Sequence, residues 1–242
     1  QAPVLAYALI FEPVDTLVDS ERLVFRRSYA RVLGRIIDDG IKSGAFPAQN
    51  TAVVANCMVG ALAEALITGG LPALEVTLRT PAALDVIAEM SKVPGGVVGA
   101  GTLVTPQDVR QAKAAGAMFG VSPGATDALI EACLAEDLPL LPGAATASEA
   151  MRLLERGFTT QKFFPAEASG GAPALKAIGA PLPQIHFCPT GGISLSNAPD
   201  YLSLSNVLCA GGSWIAPDAL VSAQAWDEIE ALAREAKQRL TD

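Results

Sequence analysis

The stretch VVGAGTLVTPQDVRQAKAAGAMFGVS, residues 97–122, decides the fold. Its first run, residues 97–100, is apolar and leads into Gly-Thr. Residues 106–115 then carry helix formers with apolar positions three and four apart, behind a Thr able to cap the first turn. A second apolar run follows at 118–122. Strand, capped crossover helix and strand in this order are the unit of a parallel sheet.

The unit repeats on both sides. Short apolar runs stand at 73–78, 97–100, 118–122, 138–142, 161–165, 184–190 and 207–211, about 20 to 25 residues apart, as βαβ units require. Further helices are expected at 126–135 and 147–156. Several runs lead into Gly, Thr or Pro, and the C-terminal ends of strands are where barrels carry their active sites. The expectation is an α/β fold, a (β/α)8 TIM-type barrel. Only seven strands are legible, so the first strand is missing, replaced, or supplied from before Leu71.

The first quarter of the chain reads differently. Residues 21–41 and 51–67 have helical patterning, joined by a turn at 42–47 where Gly44 can end one helix and Pro47 bars its continuation. Residues 3–11, PVLAYALIF, suit a strand or the start of a helix equally well. Residues 1–10 have neither a basic region nor a small-residue cleavage site, so no secretory signal is read there.

Composition narrows the function classes. Half of the 242 residues are hydrophobic and 17% are charged, enough apolar material for a large core. The net charge of −8 and the lack of a Lys/Arg cluster argue against nucleic acid as a partner. The longest apolar stretch, 52–63, is too short for a membrane span. Four cysteines without a CxxC pair, and a single histidine, point to reduced thiols in a cytoplasmic protein, with no metal and no cofactor expected.

Three groups of residues carry chemistry. Lys162 lies in QKFFP on an expected strand; an apolar strand desolvates an ammonium and favours the nucleophilic amine, although a lysine there can also snorkel to solvent. Glu75, Thr77 and Arg79 share one strand face by period two, opposite Leu74, Val76 and Leu78. Glu75 can act as general acid/base and Arg79 as a carboxylate clamp, or the two can form a buried ion pair. The glycine turns Thr190-Gly-Gly-Ile-Ser194 and Gly211-Gly-Ser213 end the last two strands, where barrels often bind phosphate; ordinary turns are the alternative. His186, read as mid-strand, and Cys188 and Cys209, with no adjacent base, are taken as structural.

In order along the chain, LEVTLRT, VGAGT, VSPG, LPLLPG, KFFPAE, FCPTGGIS and GGSW resemble 2-keto-3-deoxy-6-phosphogluconate (KDPG) and 4-hydroxy-2-oxoglutarate (KHG) aldolases, from about Val59 to the C-terminus. The resemblance implies a class I aldolase of the Entner–Doudoroff pathway. Lys162 would form the Schiff base and Glu75 would transfer protons. Arg79 and Thr102 would hold the pyruvate carboxylate, and Pro123 and Phe164 would shape the pocket. Thr190, Gly191, Gly192, Gly212 and Ser213 would hold the far end of a phosphorylated keto acid. It also implies a homotrimer without a metal. Residues 1–60 resemble the ligand-binding half of a tetracycline-repressor-type regulator, which implies a fusion of a helical segment, 1–60, to an aldolase barrel, 61–242. A phosphate-binding isomerase and a non-catalytic sensor are the other readings. The first leaves Lys162 without a role, and the second explains only the first quarter.

Overall fold

The computed structural model describes residues 51–241. The helix expected at 21–41, the turn at 42–47, the segment 3–11 and all but the last ten positions of the regulator-like stretch lie outside them. Residues from Ala55 onward form one compact unit, which begins after the first turn of helix α1 (Thr51–Thr68).

Strands and helices then alternate: β1 (Ala73–Thr77), α2 (Ala83–Met90), β2 (Val97–Gly101), α3 (Pro106–Ala114), β3 (Phe119–Val121), α4 (Asp127–Ala135), β4 (Leu140–Leu141), β5 (Gly143–Ala144), α5 (Ala147–Glu155), β6 (Thr160–Phe163), α6 (Gly171–Gly179), β7 (His186–Pro189), α7 (Ala198–Leu202), α8 (Asp218–Ser222) and α9 (Trp226–Thr241). All strand pairs are parallel, in the orders β1-β2-β3-β4 and β5-β6-β7. Pro142, which has no N–H to give a ladder, separates β4 from β5, but its carbonyl accepts from the Lys162 N–H at 2.8 Å. The two sheets are therefore one wall. Val207 and Gly211 extend it by bridging to Phe187 and Thr190. The architecture is a (β/α) barrel, and the described residues supply seven positions around its wall.

Three expectations need correcting. The first strand stops at Thr77, because the Arg79 N–H turns back to the Thr77 carbonyl at 2.8 Å, so Arg79 stands on a loop and not on the strand face with Glu75. His186 opens β7, at the end remote from the glycine turn. The run 138–142 is two short strands meeting at Pro142, with the second reaching Ala144.

The helices begin where hydroxyls can cap them. Thr105, Thr126 and Thr146 each accept an N–H from the first turn of α3, α4 and α5, and Thr105 and Thr146 form reciprocal boxes with Asp108 and Glu149. Outward strand residues then bury against the helices in two clusters. Leu74, Val98 and Ala100 meet Ala63 of α1, Ile87 of α2 and Val109 of α3. Phe163 and Phe187 meet Leu175 of α6 and Tyr201 of α7, with the two phenyl rings edge to face. The opposite strand faces are left for the lumen.

The cap on α5 generates a prediction. The Ala145 N–H, with the hydroxyl and N–H of Thr146, holds the Glu149 carboxyl below its ordinary range. A depressed carboxyl stabilises the fold above its unfolded-state pKa, about 4.3, and loses that contribution as pH falls through the folded value. Chemical denaturation should show Thr146→Ala less stable by about 1 kcal/mol. The deficit of Glu149→Gln should be constant at neutral pH and vanish in acid.

Candidate active site

On β6, the alternation that buries Gln161 and Phe163 among the helices turns Lys162 inward. The lysine is only 7% exposed. Its Nζ lies 3.9 Å from Glu75 Oε1, an ion pair without a direct hydrogen bond, and 4.9 Å from the centre of the Phe164 ring. Burial strips water from the amine, and the carboxylate is the charge that faces it.

Glu75 reaches this position because β2 presents no side chain where the carboxylate passes. A Cβ on Gly101 would coincide with the Glu75 carboxyl, and one on Gly99 would run into the Phe119 ring. Thr102, directly after β2, is half-buried and has φ 62°, a left-handed conformation that a residue with a Cβ rarely adopts. Arg79 is exposed on the loop after β1, where its Nε donates to Thr77 Oγ1 at 3.1 Å.

Pro123 ends the run after β3, and its carbonyl packs on Gly143 so closely that a Cβ there would overlap it. Beside it Ser122 is fully buried, and its Oγ meets no partner among the described residues. The glycine turn after β7 closes on the end of β6: a Cβ on Gly191 would lie 3.2 Å from the Phe164 ring and 3.3 Å from Pro165 Cα. Thr190 is buried, with Oγ1 likewise lacking a partner among the described residues. Gly212 lies against the Trp214 ring, leaving no room for a Cβ, and Ser213 is exposed next to it.

The structure thus brings Lys162, Glu75 and Phe164 together, with Gly191 against Phe164 and with Thr190 bridged to Gly211. Arg79, Thr102 and Ser213 stand on loops at the same strand ends. Among the described residues no group of three or more His, Cys, Asp or Glu side chains is arranged to hold a metal.

Two features were not legible beforehand. Cys188 is the register partner of Lys162 across β6 and β7, and its thiol is hydrogen-bonded to that of Cys209. That bond, with burial, lifts the Cys188 thiol well above its ordinary range. Twenty-one positions apart in sequence, the two had no visible reason to meet. Glu167, Asn197 and Tyr201 surround the glycine turn from behind; only the Ser194-x-x-Asn197 spacing, suited to a side-chain-capped turn, hinted at one of them.

Residues 52–232 match the family of KDPG and KHG aldolases. A 2-dehydro-3-deoxy-phosphogluconate aldolase of Pseudoalteromonas atlantica is 56% identical over 72% of this chain and 82% of its own length. The KHG/KDPG aldolase of Escherichia coli K12 is 50% identical over 72% and 83%. The crystal structure of KDPG aldolase from Legionella pneumophila, with pyruvate captured as a covalent carbinolamine intermediate, superposes with a TM-score of 0.71 at 46% identity, covering 74% of this chain and 87% of that one. The Zymomonas mobilis enzyme with 3-phosphoglycerate gives 0.70 at 48%, covering 75% and 85%. With a buried lysine facing a glutamate at the strand ends of a parallel barrel, and relatives at half identity along nearly all of that barrel, the chain belongs to the KDPG and KHG aldolase family.

Proposed function

We propose that this protein is a class I aldolase that cleaves 2-dehydro-3-deoxy-6-phosphogluconate to pyruvate and glyceraldehyde 3-phosphate, a step of the Entner–Doudoroff pathway. The observation that carries the reading is the buried Lys162 Nζ, 3.9 Å from the Glu75 carboxylate.

Nζ, its proton released to water, attacks the C2 carbonyl to give a carbinolamine, whose hydroxyl takes up a proton from water and leaves as water, giving a protonated imine. Glu75, directly or through a water, removes the proton of the C4 hydroxyl. The C3–C4 bond breaks, its electron pair flows into the imine to form an enamine, and the aldehyde leaves. Protonation of C3 by the same carboxyl and hydrolysis of the imine release pyruvate and restore the lysine. The imine is the electron sink, so the chemistry needs no metal.

Arg79 and Thr102 are proposed to hold the keto-acid carboxylate, and Pro123 and Phe164 to wall the pocket around the imine. Thr190, Gly191, Gly192, Gly212 and Ser213 are proposed to receive the phosphate. The left-handed backbone of Gly191 and Gly192 supports that placement. The Legionella enzyme with a covalent pyruvate adduct and the Zymomonas enzyme with 3-phosphoglycerate support a substrate that joins a keto acid to a phosphorylated part. We also propose a cytoplasmic homotrimer, for which the exposed Val104, Met118 and Leu134 offer apolar surface, and a regulator-like segment, 1–60, fused to the barrel, 61–242.

Borohydride reduction in the presence of pyruvate should fix a single adduct at Lys162, located by mass spectrometry; a folded protein without it would refute the Schiff base. Glu75→Gln should lower kcat by about 10²- to 10⁴-fold while the pyruvate adduct still forms. Thr102→Gly should cost no stability, since glycine takes φ 62° without the roughly 1 to 2 kcal/mol a Cβ incurs there, yet raise KM for the keto acid.

A further inference from the structure

We propose that Glu167 and Tyr201 are positioning residues: they hold the turn at 190–192 in the shape that receives the phosphate, without touching the substrate. The proposal rests on the assignment of that turn to the phosphate.

Two consecutive residues of the turn, Gly191 at φ 94° and Gly192 at φ 83°, lie in the left-handed region, where glycine has little preference of its own and much freedom to lose. Its shape must therefore be imposed from outside. Three bonds do so. The Ala166 N–H donates to the Thr190 carbonyl at 2.8 Å, the Glu167 N–H to the Gly191 carbonyl at 3.1 Å, and Asn197 Nδ2 to the Gly192 carbonyl at 3.0 Å. In a planar trans peptide the N–H points opposite to the carbonyl. Tying three successive carbonyls to the segment behind the turn aims the N–H groups of Gly191, Gly192 and Ile193 away from it, and among the described residues no hydrogen bond uses those donors. Three backbone donors without a protein partner among the described residues suit an anion.

Residues 166–167 can fix the turn only if they are fixed themselves. Tyr201 of α7, 1% exposed within the second core cluster, donates its phenol hydrogen to Glu167 Oε1. The Glu167 side chain then lies flat on the turn, its Cγ 2.6 Å from where a Gly192 Cβ would be. Beyond it Glu167 lines a cleft of about 660 Å³ between α6 and α7, with Lys176, Asn197 and Asp200. A carboxylate would repel a phosphate at close range. Its use here is mechanical: a core tyrosine grips Glu167, and Glu167 grips the turn.

The test compares steady-state cleavage of the phosphorylated keto acid with that of the same keto acid lacking phosphate, in Glu167→Ala, Glu167→Gln and Tyr201→Phe. For the Ala and Phe variants KM for the phosphorylated substrate should rise and the ratio of the two kcat/KM values should fall about tenfold. Glu167→Gln, whose amide oxygen still accepts from Tyr201, should recover most of that ratio. An equal loss on both substrates, no loss on either, or a Gln variant as impaired as Ala would overturn the proposal; Tyr201→Phe keeps it testable if Glu167→Ala does not fold. A wild-type enzyme indifferent to the phosphate would remove the phosphate assignment and this inference together. Failure of the pyruvate adduct at Lys162, by contrast, would strike the Schiff base alone.

Discussion

Lys162 points into the barrel because Gln161 and Phe163 cannot. Gln161 is fully buried on the helix side of β6, where its Nε2 donates to the carbonyls of Ala150 and Phe158, each at 2.9 Å. Phe163 beside it packs edge to face on Phe187. Side chains alternate strictly along a strand, so a slip of one residue would bury Lys162 among apolar helices and turn Gln161 and Phe163 into the lumen. The two amide hydrogen bonds and the aromatic contact thus set the register on which the rest of the site depends.

From that register the remaining geometry follows by packing. With Lys162 inward, Phe164 comes to lie under its Nζ and against Gly191, so the lysine and the glycine turn share a wall. Across the lumen Glu75 occupies space that Gly101 leaves clear. Small residues on β2 and at the turns thus shape the lumen by what they omit. The same logic extends behind the turn, where a large core residue, Tyr201, meets the one carboxylate that lies flat on Gly192.

The chemical plan is economical in charge. Lys162 and Glu75 face each other as an ion pair, with the Phe164 ring beside the lysine and Cys188 its register partner on β7. A covalent imine placed there has its positive charge opposite a carboxylate already in position, with little reorganisation needed. The Cys188–Cys209 contact adds a neutral, weakly polar neighbour, since its hydrogen bond keeps the Cys188 thiol protonated.

By itself the sequence determined the alternation of strands and helices, because apolar periods of two and 3.6 and the capping threonines at 105, 126 and 146 are local properties that side chains impose on their own backbone. It also marked Lys162, Glu75 and the glycine turns, since a lysine between apolar strand residues and paired glycines after strands are unusual wherever they occur. It misjudged Arg79, whose place depends on a turn formed by the Thr77 carbonyl and not on strand period. Only the tertiary structure decided that Lys162 faces Glu75, residues 87 positions apart, that Cys188 meets Cys209, and that Tyr201 reaches Glu167. Those contacts join strands and helices distant in the chain, and such pairings depend on how the barrel wall curves and which faces bury, which no local pattern encodes.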